Sequence, residues 1–343
     1  MKSLARTAAG CLLVAFVTAV SGNEAWGATV SLEVATERGV QATAPQQWLQ
    51  LLSEAGVTTT RIRGAQAGDK PDIETIDGRA GTIYRVTGVL NSRGQLRLPG
   101  GSFTRRDRVE LRDYFDRLKA DGAEAMTAPT GTFGLTKKQF QQVFGELSQP
   151  ATPRAEALTT AALVERLRPR LASPIVIQGR AAAALQSEGA VDTRVGELTI
   201  GTALAISLRQ QGLSLVPQKP RGKLVELHIV RADDDTESWP IGYEVKGPPR
   251  PVAPDLMEAI NVEIDGFTLA EATAAITPRL KLPVFWDRSA LARHKIDPAA
   301  IDVRLPRSKM SYKRILEKLL FQARLRGQLR TDEAGTPFYW IGR

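Results

Sequence analysis

The feature that most constrains this chain is a repeat. The segment Pro169-Arg170-Leu171-Ala172-Ser173-Pro174 recurs 109 residues later as Pro278-Arg279-Leu280-Lys281-Leu282-Pro283. An apolar, β-type run follows each copy, Ile175-Val176-Ile177 in the first and Val284-Phe285-Trp286 in the second. Further along the offset becomes 112, where Thr199 aligns with Ser311, Ile200 with Tyr312, Ala203 with Ile315, Leu204 with Leu316, Leu208 with Leu320, Leu213 with Leu325 and Ile229 with Ile341. A three-residue insertion in the second copy's middle loop, around Ile296-Asp297-Pro298, accounts for the change. Chance can supply the short match, but not readily a second ungapped block in the same order. The expected fold class is α+β: several small modules, each with two helices packed on a small sheet, with the C-terminal half an internal duplication.

The unit is read most clearly in its second copy. Ile260, Val262 and Ile264 alternate with Asn261, Glu263 and Asp265, the period of a half-buried strand. Thr268 and Glu271 have the spacing of a capping box, in which each side chain satisfies a backbone N–H that a helix start leaves free. Leu269, Ala272, Ile276 and Leu280 share one helical face, and Pro278 and Pro283 mark its end. Val284 to Trp286 form a second strand, and Val303 and Leu305 supply a third. Ser311 is placed to cap a longer helix in which Tyr312, Ile315, Leu316, Leu319, Leu320 and Ala323 follow the i, i+3, i+4 rule. A hairpin closes the unit: Gln328 to Arg330, a turn from Asp332 to Thr336 containing Gly335, and Phe338 to Ile341.

This pattern resembles the short N-terminal domain shared by secretins and TonB-dependent receptors. The likeness lies in the capped Thr268-Leu269-Ala270-Glu271-Ala272 helix and in Leu282-Pro283-Val284-Phe285-Trp286-Asp287. It continues through Val303-Arg304-Leu305, the helix Ile315 to Leu320 and the final hairpin. The first copy matches less completely, because Thr152-Pro153-Arg154-Ala155 stands where a first strand is expected before Thr159. The resemblance implies an envelope-located, non-catalytic module that contacts a partner protein, with no catalytic residues to carry over. Neither a secretin pore region nor a long alternating barrel accompanies the modules, so a freestanding protein is expected.

The rest of the chain divides by composition. Residues 28–122 read as another small α+β domain. Its strands are expected at Val30 to Val34, Thr60 to Arg63, Tyr84 to Leu90 and Gln95 to Leu98, the last pair joined by a hairpin turn at Asn91 to Gly94. Its helices are expected around Trp48 to Leu52, ended by Gly56, and around Leu111 to Leu118. Residues 123–154 read as a linker and a bridging helix started by Thr136 and Gln139. The repeats occupy 155–230 and 256–343, and 231–255 is expected to be a Pro/Gly-containing linker.

Residues 1–27 carry the marks of a cleavable signal peptide: Lys2 and Arg6, an apolar run from Ala8 to Val20, and small residues Ala25 and Gly27 before a cut after Gly27. A cut after Gly22 is the alternative. The run is shorter than the roughly 20 apolar residues that span a bilayer core, and no later stretch is apolar enough to span. A periplasmic or secreted location is therefore expected. Cys11, the one cysteine, falls inside the signal. Disulfides, thiol nucleophiles and Cys-ligated metals are then excluded for the mature chain.

The remaining chemistry is sparse. His228 and His294 are the only histidines, and neither has another within i+5 with which to share a metal. Asp233-Asp234-Asp235 lies on a loop without EF-hand spacing and reads as a solvated acidic turn. Gly64 to Lys70 has neither the glycine spacing nor the lysine position of a phosphate loop. No catalytic residue, metal or cofactor is expected.

The chain has 46 basic and 37 acidic residues, a net charge of +9, which favours anionic partners and also aids solubility. One patch stands out: Arg304, Arg307, Lys309, Lys313 and Arg314 surround the start of the second repeat's long helix. These are the candidate partner-binding residues; an envelope protein is the expected partner, and an acidic one would suit this patch. Strand addition at a sheet edge is one expected mode of docking. Few aromatics interleave the basic run, which argues against nucleic acid. A structural or anionic-polymer-binding envelope protein and an unrecognised hydrolase are the alternatives.

Overall fold

A computed structural model describes residues 28–78, 81–151, 158–187, 191–232 and 237–343. The signal-peptide reading with Cys11, the Thr152 to Ala155 segment and the Asp233 to Asp235 turn lie outside the described residues. The chain is mixed α+β with several small sheets. It divides into two compact units at Lys119/Ala120.

The first unit has the order β1 (Thr29–Thr36), α1 (Ala44–Glu54), β2 (Thr59–Gly64), β3 (Asp72–Gly78), β4 (Gly81–Leu90), β5 (Leu96–Leu98), β6 (Gly101–Phe103) and α2 (Arg108–Asp121), the last running to the boundary. β1 is the parallel neighbour of both β2 and β4. Its alternate residues Val30, Leu32 and Val34 are buried, as the period of 2 requires. Gly56, at φ +81°, ends α1 as expected: its N–H and that of Val57 bond to the carbonyls of Ser53 and Leu52, a double bond that satisfies carbonyls the last turn leaves open. The hairpin at Asn91 to Gly94 is present, with Asn91 Oδ1 accepting from Arg93 and Gln95 N–H at 3.0 Å each.

β3 and β6 were not legible in the sequence. β3 pairs antiparallel with β4, and it carries only Ile73 and Ile76 among polar residues. The loop after β2 is pinned where Arg63 binds Asp69 at 2.6 Å and also pairs with Glu33. The Arg63 guanidinium and the Gln66 N–H hold the Asp69 carboxyl down at about 2.

The second unit continues with α3 (Glu124–Thr127), α4 (Lys137–Leu147), α5 (Thr160–Leu167), β7 (Ile175–Ile177), α6 (Gly179–Leu185), α7 (Ile200–Gln210), β8 (Leu213–Gln218) and β9 (Glu226–Arg231). It is completed by β10 (Tyr243–Glu244), β11 (Ala259–Thr268), α8 (Leu269–Ile276), β12 (Val284–Trp286), α9 (Arg288–Arg293), β13 (Asp302–Ser311), α10 (Tyr312–Gln322), β14 (Arg326–Thr331) and β15 (Pro337–Gly342).

The caps read from sequence hold these helices. Thr136 with Gln139 and Thr268 with Glu271 form full capping boxes, and Ser311 Oγ accepts from the Arg314 N–H. The Glu271 carboxyl lies below the usual range because the Thr268 backbone N–H and hydroxyl bond to it.

Equivalent pairings recur in the two segments. β7 lies parallel to β9, with Ile175, Val176 and Ile177 opposite Leu227, His228 and Ile229. β12 lies parallel to β15, with Val284, Phe285 and Trp286 opposite Tyr339, Trp340 and Ile341. These positions correspond at offsets of 109 and 112. The N–H of Leu227 bonds to Pro174 O as that of Tyr339 bonds to Pro283 O. The strands of the second segment divide between two sheets, β11·β13 and β10-β14-β15-β12. Both sheets and the helices α8 and α10 share one core, built around Ile264, Val303, Leu316, Leu320 and Tyr339. Among the described residues a bridge between Pro150 and Thr199 stands where Ala259 pairs with Ser311 in the second segment.

Within its sheet, β15 is buried on both faces from Phe338 to Ile341. Val284, Tyr339 and Ile341 point into the second segment's own core, while Phe285, Phe338 and Trp340 belong to a core shared with the first segment. α7 lies in that shared core and is buried at every position from Ile200 to Leu208. An all-round apolar helix is stable in water only when covered on all sides, so the two segments form one body.

The stretch 231–255 takes part in this packing. Trp239 is buried in the shared core, β10 extends the second sheet through β14, and Ala253 joins the second core. Of the stretch expected to link the repeats to the N-terminal domain, Leu135, Val143 and Leu147 are fully covered by the shared core.

Candidate docking surface

The five cations singled out in the sequence lie along one stretch of chain. Arg304, Arg307 and Lys309 stand on β13, and Lys313 and Arg314 sit in the first turn of α10. β13 carries a bulge, since Val262 lies opposite Ser308 and Ile264 opposite Leu305, two residues of β11 spanning three of β13. The extra residue shifts the alternation. Val303 and Leu305 are buried, Met310 packs against the same core, and Arg307 and Lys309 are exposed. Without the bulge, Arg307 and Lys309 would share the parity of Leu305 and point inward.

The five charges are not equivalent. Arg304 pairs with Asp265 at 3.1 Å, and Lys313 pairs with Glu317 at 2.6 Å one helical turn on. Arg307, Lys309 and Arg314 form no ion pair among the described residues. The run 307–314 holds four cations and no carboxylate, and the first turn of α10 contains no acidic residue. Partial positive charge gathers at a helix N-terminus, so Lys313 and Arg314 repel it and an anion placed there is favoured by both.

β11 and β13 pair only with each other among the described strands, so each presents an unpaired edge. Pro306, the bulge and the cations on β13 are devices by which an edge avoids pairing with copies of itself. They also bias that edge toward an acidic strand. Phe267, exposed at 51%, stands on β11.

The histidines are placed away from this surface. His228, on β9, bonds through Nε2 to Glu226 at 3.0 Å, and this bond, with help from Lys223, holds the Glu226 carboxyl below the usual range. His294 ends α9 against Arg343. Among the described residues no three His, Cys, Asp or Glu side chains converge to hold a metal ion, and no helix is long and apolar enough to cross a membrane.

Sequence reasoning missed the polar clasp across the seam. Asp332 Oδ2 accepts from the Thr199 N–H at 2.9 Å, and Glu333 accepts from Thr202 Oγ1 at 2.7 Å, from Thr199 Oγ1 and from the Trp239 indole N–H. Glu333 thus supplies the negative charge that the first turn of α7 lacks. Its partners lie 94 to 134 residues away, beyond any local pattern. Thr199 was aligned with the helix-capping Ser311, but its hydroxyl serves Glu333 instead.

No family model matches this chain, and no curated protein and no solved structure is significantly similar to it.

Proposed function

We propose that this chain is an exported, non-catalytic protein that docks an acidic partner protein of the cell envelope. In this reading residues 256–343 are a module of the kind found at the N-termini of secretins and TonB-dependent receptors, and the periplasm or the exterior is its place of work. The observation that carries the proposal is the unopposed charge of Arg307, Lys309 and Arg314, set between an unpaired strand edge and the positive end of α10. A partner strand laid along β13 gains main-chain hydrogen bonds, and its carboxylates gain complementary charge.

The test uses the wild-type chain and an Arg307→Glu/Arg314→Glu variant as baits in an envelope extract, followed by calorimetry on the purified captured protein. The reading expects an acidic partner whose affinity falls with salt and drops about tenfold or more in the variant, as loss of close interfacial charge pairs implies. The variant's unfolding midpoint should stay unchanged, because exposed charges contribute little to folding. Equal affinity of the two baits would overturn the proposal.

A further inference from the structure

A second basic feature lies elsewhere in the same unit and is concave. A cavity of about 350 Å³ opens where the first segment's α7 meets the sheet and α9 of the second. Five guanidinium groups line it, from Arg209, Arg293, Arg326, Arg330 and Arg343. They come from four separate places: the end of α7, the end of α9, β14 and the residue after β15. No run of sequence brings them together. The fold of the second segment gathers four of them, and docking of the first segment adds Arg209.

Among the described lining residues the one acidic side chain is Asp287, and it is already engaged. Asp287 Oδ1 accepts from the Ala290 N–H at 2.9 Å, capping α9, while Oδ2 pairs with Arg209 at 3.2 Å. Its side chain is only 8% exposed. Arg330 is held from behind: it donates to Ile241 O at 2.8 Å and to Gln328 Oε1. Arg326, Gln328 and Arg330 alternate along β14 and therefore face one side of the sheet, the side shared with Trp340 and Gly342 across the ladder. Glu244, opposite Arg330 on β10, acts on that guanidinium from the neighbouring strand. Burial depresses the Arg330 pKa, and only Glu244 opposes this.

Gathering Arg326, Arg330 and Arg343 beside an acidic side chain that is already engaged is electrostatically unfavourable unless something negative enters. The planar fork of arginine matches phosphate and carboxylate oxygens two at a time. The volume is at the small end of ligand cavities, roughly 300 to 1,000 Å³, and suits a compact ion in preference to a polymer. We propose that this cavity binds a small oxyanion carrying at least two negative charges, phosphate or carboxylate in kind, with Arg326, Arg330 and Arg343 as its principal partners. The proposal stands on residues other than those of the docking surface and does not depend on it.

Calorimetric titration of the full chain with pyrophosphate, with citrate and with acetate tests it. The expected result is saturable one-to-one binding of pyrophosphate or citrate, absent for acetate and weakened by salt. The tighter of the two probes identifies the ligand as phosphate or polycarboxylate. Arg326→Gln/Arg343→Gln should lower the affinity about tenfold or more, since each lost bond is charge-assisted. Arg307→Gln/Arg314→Gln, on the docking surface, should leave it unaltered. A rise in the unfolding midpoint with the bound probe, in wild type only, reports the same binding. No saturable binding of either probe, or equal losses in the two variants, overturns the proposal.

Discussion

Replacing Glu333 by alanine should weaken the second unit by about 1.5–3 kcal/mol, and the structure says where that energy resides. The carboxylate accepts from Thr199 Oγ1, Thr202 Oγ1 and Trp239 Nε1. The two hydroxyls can rotate toward carbonyls of their own helix. The indole cannot turn, because its ring is packed against Phe133 and Phe140 and Trp239 is 3% exposed. A buried donor left without an acceptor costs about 1–3 kcal/mol. Losing a negative charge from the start of α7 adds about 0.3–1 kcal/mol. Glu333 is itself only half-buried, so its charge is partly screened and the dipole share belongs at the low end.

Glu333→Gln keeps an acceptor oxygen for the indole and should cost only about 1 kcal/mol. Urea unfolding followed by tryptophan fluorescence measures both, with Trp239, Trp286 and Trp340 reporting on this unit. The seam reasoning is refuted if the alanine variant stays within about 1 kcal/mol of wild type. A glutamine variant as unstable as the alanine variant would refute it too, by showing that accepting the indole hydrogen bond is not what matters.

Leu316, with no exposed surface at the centre of the second core, should cost about 2–5 kcal/mol when cut to alanine, measured by the same unfolding. In the first unit, Asp69 has its carboxyl lowered to about 2 by Arg63 and Gln66, below the ordinary value of about 3.9. A depressed carboxyl stabilises the fold above its unfolded pKa and loses that contribution as pH falls through the folded value. Asp69→Asn should therefore lower the stability of the first unit at neutral pH, with the gap to wild type closing between about pH 4 and 2. A gap that stays constant through that range would show that the Arg63 pairing contributes nothing to folding.

Most of the second segment was legible because its elements are written locally, although the short α9 and the division of its strands between two sheets were not. Thr268 and Glu271 cap α8, Ser311 caps α10, and the apolar stripe from Tyr312 to Leu320 faces the core as its spacing requires. The five cations were also legible as a group, since they lie within eleven consecutive residues. Their final orientation was not. A bulge between Leu305 and Ser308 turns Arg307 and Lys309 outward, and a bulge depends on how two strands register, not on either strand alone. β3 escaped notice for a related reason. With Ile73 and Ile76 as its only apolar residues, it carries almost no hydrophobic signal, and its place comes from pairing with β4.

The sequence by itself determined what can be decided within one turn or one strand: helix starts and stops, which face of α10 is apolar, and the corresponding positions in the two segments. The tertiary structure alone decided what depends on contact between distant residues. The alternation Phe285 and Trp340 against Val284 and Ile341 marks two faces, but not that both would be covered. Docking of α7 onto the outer face made β15 a doubly buried strand and gave Trp239 and Glu333 their partners. It also added Arg209 to four arginines that the second segment's fold had gathered around one cavity. Local propensity acts over a few residues, whereas burial and charge act through space. A site assembled from elements far apart in the chain is therefore invisible until they meet.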